Sequence, residues 1–79
     1  MAPITRAHML LLREAQGDAC RYCRTPLVKG ATHLDHRTPL ARGGAHEPAN
    51  VCLACASYNL KKHAMTEAEF LTRLGEEAA

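Results

Sequence analysis

Apolar positions recur at intervals of three and four from Ile4 through His8, Leu11, Leu12 and Ala15. That spacing predicts a helix over 4–16, "ITRAHMLLLREAQ", with those residues on its inner face. Thr5 is a suitable N-cap, and Gly17-Asp18 ends the element. "CRYC" (20–23) reads as a tight turn. Residues 25–40, "TPLVKGATHLDHRTPL", read as extended chain interrupted at Gly30, with Pro26 and Pro39 arguing against helix. "ARGGAHEPAN" (41–50) reads as a loop, because two Gly and a Pro leave little else. "VCLA" (51–54) is a short strand, and alternation would turn Val51 and Leu53 to the core and Cys52 to the other face. A short helix is expected over 56–63 and another over 66–77. The second opens on a capping box, Thr66 with Glu69, and carries Phe70, Leu71 and Leu74 inward. There is no repeat and no low-complexity segment. The pattern describes a small α+β chain with a central β-β-α unit.

Seventy-nine residues form one domain at most, 1–79, comprising an N-terminal helix (4–16), a core (20–63) and a C-terminal helix (66–77). A chain this short buries little and tends to need a staple such as a metal, a disulfide or a partner. Its aromatic residues are Tyr22, Tyr58 and Phe70, with no Trp, so large side chains alone will not hold it together. No apolar run is long enough for a membrane span, and no membrane partner is expected. The short apolar patch near the N-terminus lies between His8 and Arg13 and is not read as an export signal. A reducing, cytoplasmic location is therefore expected, where Cys20, Cys23, Cys52 and Cys55 favour metal over disulfide.

Charge changes the picture further. Residues 1–63 hold nine Lys/Arg against four Asp/Glu, whereas residues 64–79 hold Arg73 against four Glu. A basic body with an acidic tail helix suits a polyanionic partner, although an ordinary solvated surface has the same composition. Asp35 and His36 are the candidate chemistry. A carboxylate is a hard-cation ligand, and a neutral imidazole is a good general base near pH 7. Adjacent strand residues point to opposite faces, so the two share a site only where the strand ends and twists.

The surrounding residues sharpen this. "CRYC", "DHRTP", "RGG", "NV" and "NLKK" stand in an order and at distances that resemble the HNH endonuclease family, from Leu11 to about Phe70. The resemblance implies a ββα-metal (His-Me finger) fold with a zinc knuckle. It also implies metal-dependent hydrolysis of DNA phosphodiesters, leaving a 5′-phosphate and a 3′-hydroxyl. By that resemblance His36 is the general base, and Asp35 and Asn59 hold one Mg²⁺ or Mn²⁺. Asn50 orients the base and ties the loop to the strand, and Lys62 faces the phosphate. An amide at position 50 holds the imidazole without raising its pKa, as a carboxylate would. Arg37, Arg42, Lys61 and Lys62 would bind nucleic-acid phosphates in a salt-sensitive way. His8, His33 and His46 carry no motif and are expected at the surface or half buried. Small proteins of this family work beside phage-packaging or restriction machinery, so such partners in a phage or bacterium are implied too.

The cysteines depart from the family pattern. Counting from Asn50 and back from Asn59 places the second metal pair at 55 and 58, and residue 58 is Tyr. Three arrangements stay open. Cys52 could complete a four-cysteine zinc site, since "CLAC" has knuckle spacing. Cys20, Cys23 and Cys55 could hold zinc with water or a histidine. Zinc could also be weak or absent, with Tyr58 packing in its place. Arg24 and His63 stand where the family usually has Gly. Two functions follow: an active HNH nuclease, or a zinc-stabilised nucleic-acid-binding module with weak or no cleavage.

Overall fold

The computed structural model describes residues 4–78, so the expected domain limits at 1 and 79 lie outside the described residues. The elements are α1 (Arg6–Ala15), β1 (Thr32–His36), β2 (Val51–Cys55), α2 (Ala56–Lys62) and α3 (Glu67–Ala78). Two short 3-10 turns, Leu40–Arg42 and Pro48–Asn50, give shape to the segment expected as plain loop. The expected extended run 25–40 contracts to β1, with an isolated bridge between Ala19 and Pro26 ahead of it. The result is a small α+β fold.

The two strands pair antiparallel, with Asp35 opposite Cys52 and His36 opposite Val51. Residues directly opposite share a face. One face therefore carries His33, Asp35, Cys52 and Ala54; the other carries Leu34, His36, Val51 and Leu53. On the first face Cys52 and Ala54 pack with Cys20, Tyr22 and Phe70 into the central apolar cluster. Tyr22 meets the Phe70 ring edge-on at 5.0 Å. Val51 and Leu53 are buried on the second face. Alternation of β2 holds as expected, with Cys52 on the face opposite Val51 and Leu53, but that face is covered too and Cys52 is as buried as its neighbours.

Helix α1 begins at Thr5, whose hydroxyl accepts from the His8 backbone NH while the His8 ring accepts from the Thr5 NH. Its inner face differs from the expected one. Leu11 is 61% exposed and Ala15 is exposed, while Ile4, His8, Met9, Leu12 and Gln16 are half buried. Gln16 explains the rotation. Its amide donates to the Leu53 carbonyl (2.8 Å) and accepts from the Leu53 NH (2.9 Å), completing the outer edge of β2. That satisfaction of two strand groups outweighs the burial of one leucine, because unpaired buried backbone is costly. On α3 the capping box forms as expected, Thr66 with Glu69. Phe70 is buried and Leu74 half buried, but Leu71 is 41% exposed.

Two backbone features fix the connections. Gly44 lies so close to the Thr38 carbonyl that a Cβ there would come within 1.8 Å of its oxygen, so the 41–50 segment needs glycine at this point. Arg24 (φ 64°) and His63 (φ 50°, ψ −122°) both hold the positive φ that glycine tolerates. These are the two positions where the sequence departs from the family's Gly. His63→Gly should relieve strain of about 1–3 kcal/mol, offset by about 0.4–1 kcal/mol of added chain entropy. A raised Tm by differential scanning calorimetry is the expected result, and an unchanged or lowered Tm would place the strain elsewhere.

Candidate metal centre and active site

The strand end, the start of α2 and the "CRYC" turn meet around two groups of side chains. The first group is thiols. The Sγ atoms of Cys20, Cys23 and Cys55 lie within 4.8 Å of one another. Cys23 and Cys55 are 3.7 Å apart, close to the edge of a tetrahedron with Zn–S bonds of about 2.3 Å. The backbone prepares the sulfurs for negative charge. The NH groups of Tyr22, Cys23 and Cys55 point at Cys20 Sγ at 3.3–3.5 Å, and the Tyr58 NH points at Cys55 Sγ. Burial pushes the Cys23 thiol up, but hydrogen bonds from the Thr25 hydroxyl and backbone outweigh it and bring the pKa down to about 7. Burial raises the Cys55 thiol. The donor set fits zinc, with three soft ligands at knuckle spacing.

Cys52 is not part of this set. Its thiol donates to Asp35 Oδ2 (3.6 Å) and to the Tyr22 hydroxyl (3.7 Å) on the central face of the sheet. Burial pushes its pKa up to about 11, with the Tyr22 bond pulling the other way. The four-cysteine arrangement is corrected accordingly: β2 directs Cys52 into the core, three residues before the chain turns at Cys55. Tyr58 does not replace the missing ligand. Its ring packs edge-on against Phe70 at 6.2 Å and lies under Lys61 Nζ.

The second group surrounds a cleft of about 270 Å³ lined by Leu34, Asp35, His36, Pro39, Leu40, Asn59, Lys62 and His63. Asp35 is 5% exposed, and three elements converge on it. The Tyr22 hydroxyl donates to Oδ2 at 2.5 Å, and Lys62 Nζ lies 3.2 Å from Oδ1. Burial, then the bond to Asp35, holds the Tyr22 hydroxyl far above its usual range, so it acts only as a donor. Lys62 is 1% exposed and also donates to the His36 carbonyl at 2.9 Å. The expectation that Lys62 faces a phosphate is thereby corrected. A Lys on the last turn of a seven-residue helix reaches back to the strand, because the buried carboxylate needs a cation.

His36 bonds through Nε2 to Nδ1 of His46 at 2.9 Å. Burial, then His46, lowers its pKa below the ordinary 6.5, while Asp35 pulls it back up and Lys62 adds to the lowering. Asn59 contacts Nδ1 of His33 at 2.9 Å. Asn50 makes three bonds: from Nδ2 to the carbonyls of Thr38 (2.9 Å) and Ala45 (2.8 Å), and at Oδ1 from the Thr38 NH (3.0 Å). It ties together the two ends of the segment between β1 and β2, and it makes no hydrogen bond to the His36 ring. His33 is half buried and His46 exposed, as expected of residues without a motif, and their rings contact Asn59 and His36. A sign was present in the sequence for His33, which stands two residues before Asp35 and so shares its strand face. Nothing local marks His46, whose placement depends on the loop closing over Gly44.

Of the other basic residues, the half-buried Arg21 and Arg37 and the exposed Arg42 and Lys61 are paired with α3. Arg37 and Arg21 meet Glu67, Arg42 meets Glu69, and Lys61 meets Glu77. The Thr66 NH, then Arg42, holds the Glu69 carboxyl below the usual range.

A hairpin closed by a helix, with thiols at one end and an acid, an imidazole and an amide at the other, defines a ββα-metal unit. A family model for HNH endonucleases matches residues 20–65, more than half of the 79 residues, and the chain belongs to the HNH endonuclease family. No curated protein matches the chain. Among the described residues no helix is long and apolar enough to cross a membrane.

Three clustered thiols predict a measurable signature. Cobalt-substituted wild type should show charge-transfer absorption of about three thiolate ligands, rising to four in Tyr58→Cys, with tighter metal binding. Cys52→Ser should leave the metal spectrum unchanged. Loss of the spectrum in Cys52→Ser would reinstate Cys52 as a ligand.

Proposed function

We propose that the chain is a metal-dependent endonuclease that hydrolyses DNA phosphodiester bonds. The observation carrying this reading is the single cleft onto which Asp35, His36 and Asn59 all open. His36 takes a proton from water, the water oxygen bonds to phosphorus, and the bond to the 3′ oxygen breaks. The products are a 5′-phosphate and, once protonated, a 3′-hydroxyl. Asp35 and Asn59 would hold Mg²⁺ or Mn²⁺, which when bound neutralises charge on the leaving oxygen. The donors are oxygens of the hard type, and two protein ligands leave room for waters and phosphate, as magnesium prefers. A carboxylate has about four acceptor positions. Lys62, Tyr22 and Cys52 use three of those on Asp35, leaving one toward a cation.

Arg37, Arg42 and Lys61 supply the phosphate attraction in this reading. Arg42 and Lys61 are about half exposed and their pairs with Glu69 and Glu77 are screened by solvent, so a phosphate backbone displaces those carboxylates readily; Arg37 meets the half-buried Glu67 more loosely, at 3.7 Å. The heavy engagement of Asp35 by Lys62 and Tyr22 favours a second reading, a zinc-stabilised nucleic-acid-binding module with little or no cleavage.

Plasmid nicking with Mg²⁺ or Mn²⁺ separates the two. The nuclease reading expects His36→Ala to lower the rate by about 10²–10⁴-fold without loss of DNA retention. Equal rates would remove His36 as the base, and retention without nicking under either ion would favour the binding module. The pH dependence is a further check. The base works as neutral imidazole, so the rate should rise with pH through the His36 pKa, and that limb should lie below 6.5. A limb above 6.5 would contradict the arrangement of burial and His46 around the ring.

A further inference from the structure

Beyond the residues of the family signature, one histidine touches the candidate base directly. His46 sits in the 41–50 loop, with its ring centroid 5.1 Å from that of His36 and its Nδ1 2.9 Å from His36 Nε2. Its position is set by the loop. Asn50 Nδ2 holds the carbonyl of Ala45, the residue before His46, and Gly44 allows the chain to pass against Thr38. Asn50 thus reaches His36 through His46.

We propose that His46 is a positioning residue that fixes the tautomer and the orientation of His36, leaving His36 Nδ1 as the nitrogen that accepts the proton from water. This rests on the reading of His36 as the base.

A single proton lies between His36 Nε2 and His46 Nδ1. If His46 Nδ1 carried it, neutral His36 would carry its own proton on Nδ1, and both rings would hold the tautomer that a free histidine side chain disfavours. If His36 Nε2 carries it, both rings hold the favoured Nε2–H form, and His36 Nδ1 keeps its lone pair. Among the described residues His36 Nδ1 makes no hydrogen bond, and the ring lines the cleft. The bond also strengthens as His36 gains its proton, because a donor on an imidazolium is charge-assisted. The arrangement does for this base what a buried acceptor does for the histidine of a hydrolytic triad, with a neutral ring in place of a carboxylate.

Two variants and two readouts test it. His46→Phe keeps the ring's volume and removes the acceptor; His46→Gln offers Oε1 for the same bond. Nitrogen-15 NMR of the ring should show His36 as the Nε2–H tautomer in wild type and in His46→Gln, and a tautomer mixture in His46→Phe. In plasmid nicking, His46→Phe should lose about 10- to 100-fold in kcat with KM unchanged, and His46→Gln should recover most of it. Unchanged tautomer and rate in His46→Phe would overturn the proposal, as would equal losses in both variants, which would signify loop packing. His36→Ala separates this from the reading beneath it. If that variant nicks like wild type, the base assignment fails, while the NMR readout, which needs no turnover, still decides whether His46 sets the His36 tautomer.

Discussion

The buried pairing of Asp35 with Lys62 is the contact on which the rest of the molecule is organised. Asp35 comes from β1, Lys62 from the end of α2, and Tyr22, which completes the carboxylate's shell, from the cysteine turn. Bringing an acid into a small core is costly unless it is paired and hydrogen-bonded, and removing one partner of such a pair typically costs about 3–5 kcal/mol. Three segments far apart in sequence are therefore held to one point. Lys62 also bonds the His36 carbonyl, so the same side chain that neutralises the acid fixes the backbone of the candidate base.

The thiol cluster lies at the other end of the same structural path. Cys55 both ends β2 and caps α2, its sulfur accepting the Tyr58 NH. The thiol cluster and the helix carrying Asn59 and Lys62 thus share one residue. Tyr22, between Cys20 and Cys23, points its hydroxyl at Asp35. That phenol and that helix start are the contacts that link the thiols to the cleft. With Phe70 the largest apolar residue in the core, a small chain gains from such cross-links what it lacks in buried area.

The acidic helix α3 has two roles that pull in different directions. Phe70 and Leu74 anchor it to the core, while Glu67, Glu69 and Glu77 cover the basic residues beside the cleft. The uneven charge of the chain is thus partly resolved within the molecule. The apparent basic body is partly neutralised in the folded state.

Much was readable before the fold. The spacing of "CRYC", "LDH", "NV" and "NLKK" defined the family and the α+β order, because metal, base and loop chemistry restrict which residue types stand at which separations. Capping signals located α1 and α3 to within two residues. What the sequence left open depended on contacts across the fold. It could not choose between Cys52 and an open zinc corner, because knuckle spacing is the same whether the first thiol faces the metal or the core. It suggested a phosphate partner for Lys62, because a lysine's reach is symmetric until burial gives it a carboxylate. It gave His33 and His46 no role, because each acquires one only when strand pairing and loop closure set it against a residue 26 or 10 positions away. Local patterns determine elements and ligand types; which buried donor meets which acceptor is decided by long-range packing, where leaving a polar group unpaired costs more than any local preference.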